Sequence, residues 1–232
     1  MRVELAKSAG FCYGVRRAVE LAAQAAESGE PCVMLGPVIH NDHVVSWLAK
    51  KGVSCVGSVD EVPEGSSVIL RSHGEPRRVH EALKAKGAKV IDAACPNVTK
   101  IHRLVEKAEQ EGRQPVIIGT PDHPEVVAIA GWCRRPVVLA GAEEWEIWLS
   151  EHPEYREKPL TLVSQTTSTR VIWESSIEKT KKLWEKRITE NTTLSMESVQ
   201  WMAQRINSLL EYMQYGYALI AYRKQDGSFY MG

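Results

Sequence analysis

Residues 89–110 read KVIDAACPNVTKIHRLVEKAEQ, and residues 4–26 read ELAKSAGFCYGVRRAVELAAQAA. In each, a strand end is followed by a cysteine, Cys95 or Cys12, and then by a helix that begins within a few residues. A cysteine in that setting lies at the carboxyl end of a strand and near a helix N-terminus. Open α/β sheets bind ligands there, and the helix dipole stabilises a thiolate there. Residues 187–213, RITENTTLSMESVQWMAQRINSLLEYM, have the same strand-then-helix shape without the cysteine.

Outward from these segments, short β-branched runs alternate with amphipathic stretches almost from end to end. The spacing predicts strands over 32–35, 53–56, 67–70, 89–91, 115–118, 137–140, 160–163 and 218–221. It predicts helices over 15–27, 76–86, 98–110, 170–186 and 198–212. This βαβα order calls for parallel sheets covered by helices. Gly and Pro mark the joints, as in Gly36-Pro37 and Gly119-Thr120-Pro121, and no long linker interrupts the pattern.

The chain has 232 residues, enough for one large domain or two to three small ones. Lys plus Arg and Asp plus Glu number 29 each, so no net field recruits nucleic acid or an anionic membrane. A bound anion must be held by a local cluster. The first residues lack a signal-like apolar stretch, and nowhere do eighteen apolar residues run together, so a cytoplasmic protein without a membrane span is expected. The five cysteines are odd in number and widely spread, which argues for reduced thiols, with or without a metal, over a disulfide framework.

Three histidines occupy similar settings: His40 in GPVIHND, His73 in LRSHGEP and His123 in TPDHPEV. Each closes a strand or its loop ahead of a helix start. Singly, each reads as a surface or hydrogen-bonded loop histidine; together they read as imidazoles converging with helix N-termini on one anion. Glu125 reads either as a proton donor in a desolvated pocket or as a first-turn carboxylate favoured by the helix dipole. Gln165, Thr166 and Thr167 end another strand and offer amide and hydroxyl groups to a ligand, while Thr167 or Ser168 equally reads as a helix N-cap. Cys12 and Cys95 belong to no C-x-x-C pair and read as cluster ligands, as nucleophiles or as inert thiols. Cys32 and Cys55 lie in apolar runs and read as small core residues. Cys133, in GWCRRPV, reads as structural, with a reactive thiol as the alternative.

Six motifs occur in one order: AKSAGFCYGVRRAVE around Cys12, GPVIHN at His40, RSHG at His73, DAACPNVTKIH around Cys95, HPEV from His123, and SQTT at Thr166. In this order they resemble the hydroxymethylbutenyl diphosphate reductases, over roughly residues 1–192. The resemblance implies an α/β fold of three pseudo-equivalent lobes of small parallel sheets flanked by helices around a central cluster site. Their extents would be 12–94, 95–187, and an incomplete third lobe over 188–232 with 1–11. It implies a 4Fe-4S cluster with Cys12 and Cys95 as two ligands, an allylic diphosphate substrate, and ferredoxin or flavodoxin as electron donor. His40, His73, His123, Gln165 and Thr166 would bind substrate. Glu125 would relay a proton through Thr166, with His123 assisting.

The family pattern expects a third cysteine just after Glu190-Asn191-Thr192, and this chain reads Thr193-Leu194-Ser195-Met196-Glu197. The later Ser-x-Asn pair is replaced by ALIAYRKQDGSFYMG. Three explanations stand beside one another: a frame slip or truncation, a paralogue that keeps only a diphosphate site, or a cluster completed by Cys133 or an external ligand. A thioether such as Met196 is a poor ligand for such a cluster.

Overall fold

The computed structural model describes residues 10–183, 221–223 and 229–231. Helix α1 (Tyr13–Glu27) leads into strand β1 (Cys32–Leu35), helix α2 (Asp42–Lys50) and strands β2 (Ser54–Val56) and β3 (Ser67–Leu70). Helix α3 (Arg77–Ala85) and strand β4 (Lys89–Asp92) complete a four-stranded sheet in the order β2-β1-β3-β4. Helix α4 (Pro96–Gln110) opens a second unit with β5 (Gln114–Ile118), α5 (Pro124–Ala130), β6 (Val137–Leu139), α6 (Glu144–Glu151), β7 (Leu160–Ser164) and α7 (Arg170–Leu183). Its sheet has the order β6-β5-β7. All pairings in both sheets are parallel.

The central strands are mostly apolar because helices cover both faces of a parallel sheet. β1, β3, β5 and β7 are buried at every position. On one face of the first sheet Ala18, Ala22 and Ala25 of α1 pack against Met34 and Ile69. On the other, Leu83 of α3 joins Leu35, Val68 and Leu70. In the second sheet α4 and α5 bring Ile101, Val105 and Ile129 to Ile117 and Val163. Trp145, Leu149 and Trp173 cover the opposite face against Val116, Ile118 and Leu162.

The two units repeat one plan. β1 and β5 each end in a glycine, Gly36 or Gly119, whose amide donates to the end of the neighbouring strand at Val56 or Leu139 (2.9 Å each). The chain then runs through His40 into α2, and through His123 into α5.

Several expectations need correction. Cys55 is exposed, since β2 is an edge strand with two exposed positions and one half-buried; Cys32, on β1, is buried as expected. The cap ahead of α7 is supplied by Thr169, whose hydroxyl accepts from the Ile172 amide (3.4 Å), and not by Thr167 or Ser168. A short antiparallel pair, β8 (Ala221–Arg223) with β9 (Phe229–Met231), was not anticipated. The expected helix over 198–212, residues 218–220 of the expected strand, and the segment in place of the third cysteine lie outside the described residues.

Candidate active site

Cys12 is the N-cap of α1, and its sulfur accepts from the Val15 amide at 3.4 Å. Cys95 is the N-cap of α4. The two helix starts are pressed together, since a Cβ placed on Gly14 would stand 2.6 Å from the Cys95 sulfur. Glycine is required at position 14 by that approach alone. From α1, Arg17 donates to the carbonyls of Ala94 (3.0 Å) and Asp92 (3.3 Å), tying the first helix to the strand end that carries Cys95. Burial pushes the Cys95 thiol pKa up. The amides of Asn97 and Val98 oppose that shift, while charge on Cys12 and Glu125 adds to it.

The loops after β1, β3 and β5 bring the three histidines into a row. His40 and His73 have ring centroids 4.7 Å apart, and His73 and His123 are 5.7 Å apart, edge to face. Each has a local anchor. His40 follows the buried pair Val38-Ile39 and precedes Asn41, whose side chain caps α2. His73 is a central residue of a turn closed by the Gly74 amide on the Arg71 carbonyl (3.0 Å). His123 caps α5, its Nδ1 accepting from the Glu125 amide at 3.2 Å. This bond assigns the neutral ring its proton on Nε2.

His73 is pushed down to about 4, by burial first and then by the charges of His40, His123 and Arg71. Its Nδ1 is buried without a hydrogen-bond partner among the described residues. His123 is also lowered, by burial and then by His40. The middle imidazole of the ligand-free row is therefore neutral at pH 7. Burial and the nearby charges of His40, His123 and Arg71 all disfavour a proton on the central ring.

Glu125 is 2% exposed and accepts from both the Thr166 amide (2.6 Å) and the Thr166 hydroxyl (2.8 Å). A buried carboxylate joined to a less buried hydroxyl is a short proton path from the interior to the site. Gln165 precedes Thr166 directly after β7. Its carbonyl oxygen accepts from the Thr120 amide (3.1 Å) and its nitrogen donates to the Thr167 hydroxyl (2.7 Å), so its amide joins loops at both ends.

Cys133 does not reach the thiol pair. Its pKa is pushed up to about 12, by burial first and then by Glu109, with Arg77 opposing. Glu109 lies about 20 Å along α4 from Cys95 at 1.5 Å per residue, so Cys133 sits at the wrong end of that helix to share a ligand with it. Among the described residues, no three His, Cys, Asp or Glu side chains are grouped to hold a metal ion. A cavity of about 460 Å³ lined by Arg113, Arg134, Arg135 and Lys158 opens at that same far end and takes no part in the site.

Sequence reasoning passed over Arg17, His102 and the Arg71–Glu75 ion pair that braces the His73 turn. The motifs contain Arg17, Arg71 and His102, and Glu75 directly follows one, but burial and partner decide their roles, and neither is periodic.

The fold and site together define a class: lobed α/β proteins that gather thiols at helix starts with imidazoles and a carboxylate near the carboxyl ends of parallel strands. Residues 3–213 match the family model described as LytB protein, and the chain belongs to that family. It is 32% identical over 217 residues to the 4-hydroxy-3-methylbut-2-enyl diphosphate reductase of Clostridioides difficile (strain 630), covering 90% of this chain and 76% of that protein. It is 34% identical over 218 residues to the enzyme of the same name from Clostridium tetani, covering 92% of this chain and 33% of that one.

Two solved reductase structures are similar. That of Plasmodium falciparum superposes with a TM-score of 0.77 at 24% identity, over 90% of this chain and 64% of that chain, and supports the fold. A second, titled as the terminal enzyme of the non-mevalonate pathway, gives a TM-score of 0.65 at 35% identity over 78% and 64%. The chain thus spans only part of its longer relatives.

Proposed function

We propose that this chain binds 4-hydroxy-3-methylbut-2-enyl diphosphate and reduces it, with two electrons and two protons, to isopentenyl or dimethylallyl diphosphate and water. The observation that carries the proposal is the convergence of a histidine row, a buried Glu125–Thr166 pair and two helix-capping thiols, with the family membership behind it. Residues 12–94 and 95–187 are read as two lobes of the enzyme, and 188–232 with 1–11 as belonging to a third. Among the described residues no helix is long and apolar enough to cross a membrane. We read the protein as cytoplasmic, drawing electrons from a ferredoxin or flavodoxin.

His40, His73 and His123 hold the diphosphate. A buried anion beside imidazoles favours their protonated forms, so binding draws protons onto His73 and His123, whose pKa values are held down in the free protein. Thr166 offers its hydroxyl to the substrate, and Glu125 returns the proton that Thr166 gives up. Gln165 orders the Thr166 loop. Closing protein around the allyl group keeps bulk water from competing as proton source.

Cys12 and Cys95 fit two corners of a 4Fe-4S cluster, both sulfurs lying at helix starts. When bound, such a cluster supplies electrons one at a time and Lewis acidity toward the departing hydroxyl. Of the other described cysteines, Cys32 is buried in a sheet, Cys55 lies on an edge strand and Cys133 is remote from the pair. This gap supports a second reading, in which the chain retains the diphosphate site without the reductase.

Iron and acid-labile sulfide per chain, measured after anaerobic reconstitution, separate the two. Roughly four irons per chain, with turnover from a one-electron donor, supports the reductase. Colourless protein that pyrophosphate still stabilises against heat supports the diphosphate site alone.

A further inference from the structure

The histidine row depends on where the turn after β3 places His73, and that turn rests on a residue outside the row. Gly74 closes the turn with φ +79, a conformation that strongly favours glycine. A Cβ on it would stand 2.6 Å from Cε1 and 3.1 Å from Nε2 of His102, so the backbone of the turn lies directly on the His102 ring. His102 projects from α4, is 3% exposed, and stacks on Trp132 at 5.1 Å and 16°. Trp132 in turn donates from Nε1 to the Glu75 carbonyl at 2.9 Å, and its ring is covered by the Arg77 guanidinium at 5.2 Å. The residues on either side of Gly74 are thus governed by one aromatic stack contributed by the second unit.

The identity of residue 102 needs a reason beyond filling space. Its Nε2 is buried with no hydrogen-bond partner among the described residues. A leucine of comparable volume would fill the site without that cost. What a branched aliphatic chain lacks is a thin, flat face of fixed height under the turn.

We propose that His102 is a positioning residue: its ring, held flat by Trp132, seats the Arg71–Gly74 turn and so fixes His73 between His40 and His123. Any anion that requires all three imidazoles then depends on a side chain that never touches it. This rests on the diphosphate reading for its functional consequence, though not for its geometry.

The test uses the full chain with His102→Leu, His102→Ala and the core control Ile117→Val. Inorganic pyrophosphate affinity is measured by calorimetry, and the His73 ring resonances are followed by proton–nitrogen NMR. His102→Leu is expected to stay folded while weakening pyrophosphate binding about tenfold or more and shifting the His73 signals. Ile117→Val is expected to lower the melting temperature and leave both readouts unchanged. A folded His102→Leu protein with wild-type affinity and unmoved His73 signals overturns the proposal. If the unmodified chain binds no pyrophosphate, the diphosphate reading fails. The His73 resonances alone then decide the role of His102.

Discussion

Glu125 and Thr166 show how much a single pair can be asked to supply. General acid catalysis by a positioned side chain contributes roughly 10²–10⁴ in rate. Glu125→Gln, which keeps an acceptor for the Thr166 amide, should cost turnover on that scale in single-turnover assays while moving pyrophosphate affinity little. The histidine row gives a second expectation. Because His73 in the free protein is held down to about 4, an anion that raises its pKa must take up protons as it binds. Pyrophosphate should therefore bind more tightly as pH falls from 7 toward 5, with proton uptake visible as a buffer-dependent enthalpy. His73→Gln should flatten that dependence. These residues were legible in sequence because each stands at a strand-to-helix joint with a recognisable neighbour, Pro96, Gly74 or Pro124. Cys55 was not, because an edge strand and a central strand share the same apolar composition, and only the sheet order separates them.

At the scale of elements, the site is set by how closely helix starts approach strand ends. Gly119 ends β5 under α5, where an added Cβ would meet Val126 Cγ2 at 2.8 Å and Gln165 Cβ at 2.9 Å. Gly119→Ala should therefore push the Glu125 helix away from the Thr166 loop, at a cost of about 1–3 kcal/mol, the usual range for overpacking. A drop in the urea midpoint should accompany a larger fractional loss of turnover than of pyrophosphate binding. Alternation of apolar runs was enough to find the strands of the two sheets and the helices α1, α3, α4 and α7, while the shorter α2, α5 and α6 were not delimited. It could not assign the cap of α7, because Thr167, Ser168 and Thr169 are equivalent in sequence. Gln165 engages Thr167, which leaves Thr169 for the cap.

For the whole molecule, two histidines outside the folded state's control in acid set a limit. His73 and His102 are both held down to about 4, each chiefly by burial. The unfolded chain binds protons there at ordinary histidine pKa values, so stability is full above about 6.5 and falls as pH drops toward 4. For His102, at 3% exposure, the loss by pH 4 is on the order of 3 kcal/mol; His73, more open to solvent, adds less. Urea midpoints between pH 7 and 4 should trace that decline, and His102→Leu should remove the larger part of it. The repeat of sheet order and strand-end glycines across both units explains why one cysteine-to-helix segment sufficed to anticipate the fold. The inter-unit stack of His102 and Trp132 was invisible for the converse reason, since it joins residues with no shared periodicity. One backbone unit crosses that division as well: the Ser72 amide donates to the Val38 carbonyl, and the Ser72 carbonyl accepts from the Cys95 amide, both at 2.9 Å. The thiol end and the imidazole end of the site are thereby strung on a single residue. By linkage, whatever factor an occupant of the thiols gives to anion affinity, the anion must return to that occupant, so the two ends titrate as heterotropic partners.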